Sequence, residues 1–228
     1  MKKLAILLIL LLSVVFAETV PVLIDGKEYK GEKIGNYIFV LDNKLVIYEN
    51  KSYELIKIDN FYISKDLKVV LDGNEVNKII SFGDIVFYPK KNLLFKNGKK
   101  YEVKNWGNVY FSLTGYNYDW EGFKLFAYGI FPQMKYVLLE ICIFNLDSQP
   151  VTLQQNMFKL KIGNSIYYPD GSASVILNNE GKEVLFRKII YPGEATVGYL
   201  VFDVPTTPEK LIIDPQFGLK NPLEINMP

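Results

Sequence analysis

The sequence predicts an all-β chain in two parts: a β-hairpin repeat domain followed by a two-sheet β-sandwich. Three observations predict it. Tyr and Phe number 16 and 15, Val and Ile are plentiful, and Ala is scarce, which is a strand-forming composition. The first half repeats with a period of 24 residues. The second half is a succession of short apolar runs separated by turn signals.

The N-terminus comes first. Lys2 and Lys3 precede an unbroken apolar run from Leu4 to Leu12, extended by Val14, Val15 and Phe16. Val15-Phe16-Ala17 places small residues at the positions that signal peptidase reads. Residues 1–17 are therefore expected to be a signal peptide, with the mature chain starting at Glu18. The rival reading is a membrane anchor, but the apolar run is about 13 residues, short of the ~20 that span a bilayer. No Cys follows it to carry a lipid.

The repeats follow at once. Blocks 35–58, 59–82 and 83–106 abut without gaps. Each opens with Gly or Asp, then Asn or Asp, then an apolar triplet: Tyr37-Ile38-Phe39, Phe61-Tyr62-Ile63 and Ile85-Val86-Phe87. The opening recurs at Gly107-Asn108, and a half copy occupies 22–34. A fixed period of this size signals repeat architecture. Asp25-Gly26, Asp72-Gly73 and Asn97-Gly98 mark tight turns, with Asn50-Lys51 in the equivalent place of the first block. Each unit is expected to hold three short strands. It is too short for a standard propeller blade, so a twisted hairpin meander rolled into a small barrel is expected.

From about residue 107 the pattern changes. Strand segments are expected within 135–151 (a long strand followed by a polar turn with Pro150), 158–163 (Phe158, Leu160 and Ile162 on one face), 165–173, 184–190, 191–205 and 210–215. Tyr168-Pro169-Asp170-Gly171 is taken as a strand running into a turn. A domain of about 100 residues suits a sandwich. The domains are thus expected as signal peptide 1–17, repeats 18–106, and sandwich 107–228 with a Pro-rich C-terminal tail.

Asn145, the turn at Pro150, Tyr168-Pro169-Asp170 and Pro192-Gly193-Glu194-Ala195-Thr196-Val197-Gly198-Tyr199-Leu200-Val201-Phe202-Asp203-Val204-Pro205 resemble the telokin-like, immunoprotective extracellular domain family over about 107–215. The resemblance implies an immunoglobulin-like β-sandwich in an exported protein. That family is a domain of unknown function, so no catalytic residue carries over. The repeats are not part of the resemblance.

Composition narrows the function classes. There are 26 basic and 25 acidic residues, and losing Lys2 and Lys3 leaves 24 against 25. That balance gives no basic face for nucleic acid and no polybasic membrane anchor. The absence of His removes Ser-His-Asp and Cys-His catalysis and His-ligated metals. Cys142 is the one cysteine, so no internal disulfide forms. In its strand Val137, Leu139, Ile141 and Ile143 make the core face. Cys142, with Leu138, Glu140 and Phe144, is expected on the opposite face, covered by domain packing or free.

Specific chemistry is sparse. Asp119 and Glu121 around Trp120 could act on a glycoside, but a polar loop tip is the better reading, because residues two apart give no evidence of a cleft. Asp42, Asp66 and Asp72 lack calcium-loop spacing. Ser172 and Ser174, even with Lys182 or Lys188 as base, lack a nucleophile elbow. Asn50-Lys51-Ser52 is a formal glycosylation sequon. The most suggestive feature is aromatic alternation. If Val109, Phe111 and Leu113 face the core, then Tyr116, Tyr118 and Trp120 face outward and offer a contact surface for a sugar or protein. The sequence therefore points to an exported, periplasmic or extracellular, non-enzymatic binding module without cofactor. Its partner would be an envelope protein or glycan. An envelope spacer and a carboxylate-dependent glycan hydrolase are the alternatives.

Overall fold

The computed structural model describes residues 17–121, 125–126, 128–214 and 221–228. The expected signal peptide lies outside them, apart from Ala17. The chain is all-β and divides into two compact units, Met1–Ser81 and Phe82–Pro228.

The first sheet is a five-stranded antiparallel meander of β1 (Glu18–Ile24), β2 (Lys27–Ile34), β3 (Tyr37–Val40), β4 (Leu45–Tyr48) and β5 (Lys51–Glu54). The second holds β6 (Ile56–Ile58), β7 (Phe61–Ser64), β8 (Val69–Asp72) and β9 (Glu75–Lys78). The third holds β10 (Ile80–Phe82), β11 (Ile85–Tyr88), β12 (Leu93–Lys96) and β13 (Lys99–Glu102). Each 24-residue block therefore carries four strands, not the three expected. Its last strand crosses to the next sheet, so β6 pairs with β7. The result is a series of small separate sheets and not one rolled meander.

The period is visible in single atoms. The repeated openers are the central residues of two-residue hairpin turns, with Gly35, Asp59, Gly83 and Gly107 at φ 58°, 53°, 58° and 57°. A left-handed position favours Gly, Asn or Asp there. At Leu55, Ile79 and Val103 each block changes sheet. These amides donate to the carbonyls of Lys44, Lys68 and Asn92 at 2.7, 3.0 and 3.0 Å. All three side chains are buried. In the first block the turn centres on Glu49-Asn50 (φ 49° and 58°), one residue before the expected position. Phe39, Val46, Leu55 and Leu71 form the core of the first unit.

The sandwich has one sheet ordered β14 (Lys104–Trp106), β15 (Val109–Tyr118), β16 (Lys135–Asn145), β21 (Ala195–Val204). The facing sheet is ordered β19 (Ser165–Tyr167), β18 (Phe158–Ile162), β22 (Lys210–Ile213), β23 (Leu223–Asn226). A ribbon of β17 (Val151–Leu153) and β20 (Lys188–Ile190) closes one side. This is an immunoglobulin-like, two-layer arrangement. Val137, Leu139, Ile141 and Ile143 meet Phe158, Leu160, Leu211 and Ile213 in the core, as their alternation predicts. The C-terminal tail is not irregular, because Leu223–Asn226 forms the edge strand β23 against β22.

Two expectations fail locally. Tyr168-Pro169-Asp170-Gly171 is not a hairpin turn. Asp170 accepts from the Ala173 amide at 3.0 Å and caps a helix, α1 (Gly171–Asn179), the preferred use of Asp at this position. The run 184–190 is a strand only from Lys188. Leu185 packs instead against Gly198, where an added Cβ would lie 2.3 Å from a Leu185 methyl.

The outer face of the β15-β16-β21 sheet is also covered. At one end Tyr136 and Val201 pack with Ala173 and Leu177 of α1. At the other end lies the third repeat block. Phe87 is 4.8 Å from Tyr110 and 5.1 Å from Phe144, ring to ring. The Ser112 hydroxyl donates to the Glu102 carbonyl at 2.9 Å. The expected division at 106/107 thus differs from the observed one at Ser81/Phe82, because the sandwich sheet needs this block as its cover. Cys142 is on the predicted face and is fully buried there. Burial pushes its thiol up to about 12.

Candidate binding cleft

The aromatic stripe does not form a surface. β15 carries a bulge between Leu113 and Gly115, where pairing passes from Ile141 to Glu140. The extra residue, Thr114, inverts the alternation that follows. Tyr116 and Tyr118 then sit opposite Leu139 and Val137 and pack against the sandwich core, together with Leu113. Trp120 goes elsewhere. Its amide donates to the Tyr136 carbonyl at 3.0 Å, and its ring joins the cluster under α1. The three rings are part of two different packing clusters. Asp119 beside them forms an exposed ion pair with Lys135 at 2.8 Å.

The bulge builds a different feature, a polar knot on the outer face. The Glu140 carboxylate accepts from Thr114 Oγ1 at 2.7 Å and from the Tyr199 hydroxyl at 2.9 Å. It also pairs with Lys96 of the third block. Burial pushes this carboxyl up, but the hydrogen bonds from Lys96, Thr114 and Tyr199 outweigh burial and hold it below its ordinary value. The groups satisfy one another, so the knot fastens the block and leaves no open site. A concavity of about 570 Å³ between Phe82–Ile85 and β20–β21 carries Glu183 and Glu194. Glu183 takes Lys188, and Glu194 takes the Tyr191 amide at 3.0 Å.

An open cleft of about 690 Å³ lies at the edge of the sandwich, within the ~300–1,000 Å³ of small-ligand sites. Its floor is the cross-strand pair Thr152 and Ile189. Alternation along the ribbon sends their neighbours Leu153 and Ile190 into the core and leaves this pair outside. One wall is Gln154, Gln155 and Asn156, fixed below by Met157 in the core. Another wall is Tyr168 and Pro169, tied across by a 3.0 Å bond from Gln155 Nε2 to the Pro169 carbonyl. The third is Phe186 and Arg187, held between buried Leu185 and Ile190. Arg187 is left-handed (φ 51°), and its guanidinium lies 5.5 Å from the Phe186 ring centre. Tyr168, Phe186 and Ile189 are 55, 44 and 45 % exposed. The scaffold is buried and bonded while the lining is presented to solvent.

The profile of the family described as Domain of unknown function (DUF4352) matches residues 96–222. The chain belongs to this family. The DUF4352 region contains the whole cleft and begins at Lys96, the residue that pairs with Glu140. No curated protein matches the chain. Two solved structures are similar to it. One is the yjhA protein from Bacillus subtilis, at 12 % identity over 54 % of this chain and 93 % of that one, with a TM-score of 0.40. The other is a functionally unknown protein from Listeria monocytogenes, at 11 % identity over 55 % and 80 %, with a TM-score of 0.39.

Sequence reasoning missed the cleft because its residues come from three separated segments with no shared spacing. One signal was available. Arg187 is the single arginine among 26 basic residues, and it adjoins an aromatic just before a strand.

Proposed function

We propose that this chain is a non-enzymatic binding module of the cell envelope or extracellular space, and that the cleft in its DUF4352 region is where the ligand sits. The observation that carries the reading is the cleft itself. Three large apolar side chains stand exposed around a floor and walls that the fold has already fixed. Exposed apolar side chains gathered at a preformed concavity mark a contact site. The lining offers amides, a hydroxyl, rings and a guanidinium, a set suited to holding a ligand. The leader-like N-terminus and the resemblance to the telokin-like, immunoprotective extracellular family support the address outside the cytoplasm.

The test uses the chain without residues 1–17, passed over immobilised glycan and protein fractions of the envelope. Retention is expected, and a Phe186→Ser, Ile189→Asp variant should lose it. Exposed substitutions of this kind change stability by only about 0.5 kcal/mol, so the thermal midpoint should hold. The retained ligand should be recovered unaltered after prolonged incubation. Equal retention of the variant would move the site elsewhere, and release of a cleaved product would overturn the non-enzymatic reading.

A further inference from the structure

We infer, resting on the cleft as the binding site, that its ligand is an acidic saccharide whose carboxylate is taken by Arg187. Charge points first to an anion. Among the described residues that line the cleft, Arg187 is the only charged one. It is exposed, and no carboxylate pairs with it among the described residues. The guanidinium is therefore placed to take an anionic group of a ligand.

The choice of side chain sharpens this. The chain has 26 basic residues and Arg187 is the one that is not lysine. A solvated surface charge is served by lysine throughout the rest of the molecule. What arginine adds is a planar fork that grips a carboxylate with two parallel N–H bonds. The Phe186 ring beside it favours a cation over its face and steadies the fork.

The neutral lining selects the class of anion. Tyr168 and Phe186 present rings on which the apolar face of a sugar can lie. Thr152, Gln154 and Asn156 are exposed and both donate and accept, which matches ring hydroxyls. A nucleic acid would call for several cations, and a lipid tail for a lining without amides. One guanidinium among rings and amides fits a uronic-acid unit in a glycan.

The test compares three probes with the chain lacking residues 1–17: tetragalacturonate, its fully methyl-esterified form, and tetraglutamate. Binding is followed by amide chemical shifts and titration calorimetry. Tetragalacturonate is expected to shift Thr152, Gln154 and 186–189, and the ester to bind at least tenfold more weakly. Arg187→Gln should weaken the acid by the same factor and leave the ester unchanged. Arg187→Lys should restore only part of the loss. Equal affinity for acid and ester would overturn the role of Arg187 while leaving the cleft as a site. Tetraglutamate binding in preference would overturn the saccharide. Binding of none of the three would overturn the ligand class, and the envelope-retention experiment would still decide the cleft.

Discussion

Asn145 shows how much one side chain can hold. It is fully buried at the end of β16 and donates to the Gln149 and Ile190 carbonyls at 2.8 and 2.9 Å. It also accepts from the Asp147 amide at 3.0 Å. The sandwich turn and the ribbon behind the cleft are both fastened through it. Tyr116 is the opposite case. Its hydroxyl is buried with no partner among the described residues, and burial pushes its pKa up. A buried hydroxyl without a hydrogen bond costs about 1–3 kcal/mol. Tyr116→Phe keeps the ring and removes the cost, so it should raise stability by about 1 kcal/mol, read from the urea midpoint. Tyr116→Ser should lower it, since the ring packs on the core. A Tyr116→Phe variant less stable than the parent would mean the hydroxyl is satisfied.

Among the elements, the bulged strand β15 and its neighbour β16 decide most. The Lys96–Glu140 pair has side chains 11 and 18 % exposed, and breaking such a pair leaves a charge stranded. Glu140→Gln should cost about 2–3 kcal/mol near neutral pH. The pH dependence follows from the depressed carboxyl. Its folded pKa lies below the ordinary ~4.3, so its contribution is whole above that value and is lost as pH falls through the folded pKa. Urea midpoints of the parent should therefore fall below about pH 4.3 more steeply than those of Glu140→Gln. Parallel curves would show that Glu140 is not held down. The same strands mark what the sequence could tell. The alternation of Val137, Leu139, Ile141 and Ile143 is a property of one strand and was legible. So were the exposed-turn openers, because left-handed φ restricts residue choice locally. The bulge was not. It depends on Thr114 finding Glu140 across the sheet, a pairing 26 residues away in sequence. With it went the expected stripe of Tyr116, Tyr118 and Trp120. The helix cap at Asp170 was hidden by a tetrapeptide that also suits a turn. The cleft was hidden by its assembly from three segments.

At the scale of the whole molecule, a pattern of short blocks overlaps a sandwich that needs one of them. The third block covers Glu140, Cys142 and Phe144, and it belongs to the compact unit Phe82–Pro228. A fragment of residues 82–228 should therefore melt cooperatively on its own. A fragment of residues 108–228, with Phe144 and its neighbours bared, should lose that transition. The comparison needs only circular dichroism with heating, and equal cooperativity of the two fragments would count against the block as cover. The buried thiol gives this arrangement a further use. Cys142 is the one cysteine in the chain and has no exposed surface. With its pKa near 12 almost none of it is thiolate at neutral pH. An alkylating reagent can reach it only in those molecules in which the cover over the sheet has opened or the unit has unfolded. Each molecule so trapped gains a single permanent mass increment, because the chain has one thiol. The thiol thus serves as a built-in reporter of how often the outer face of the sheet is uncovered.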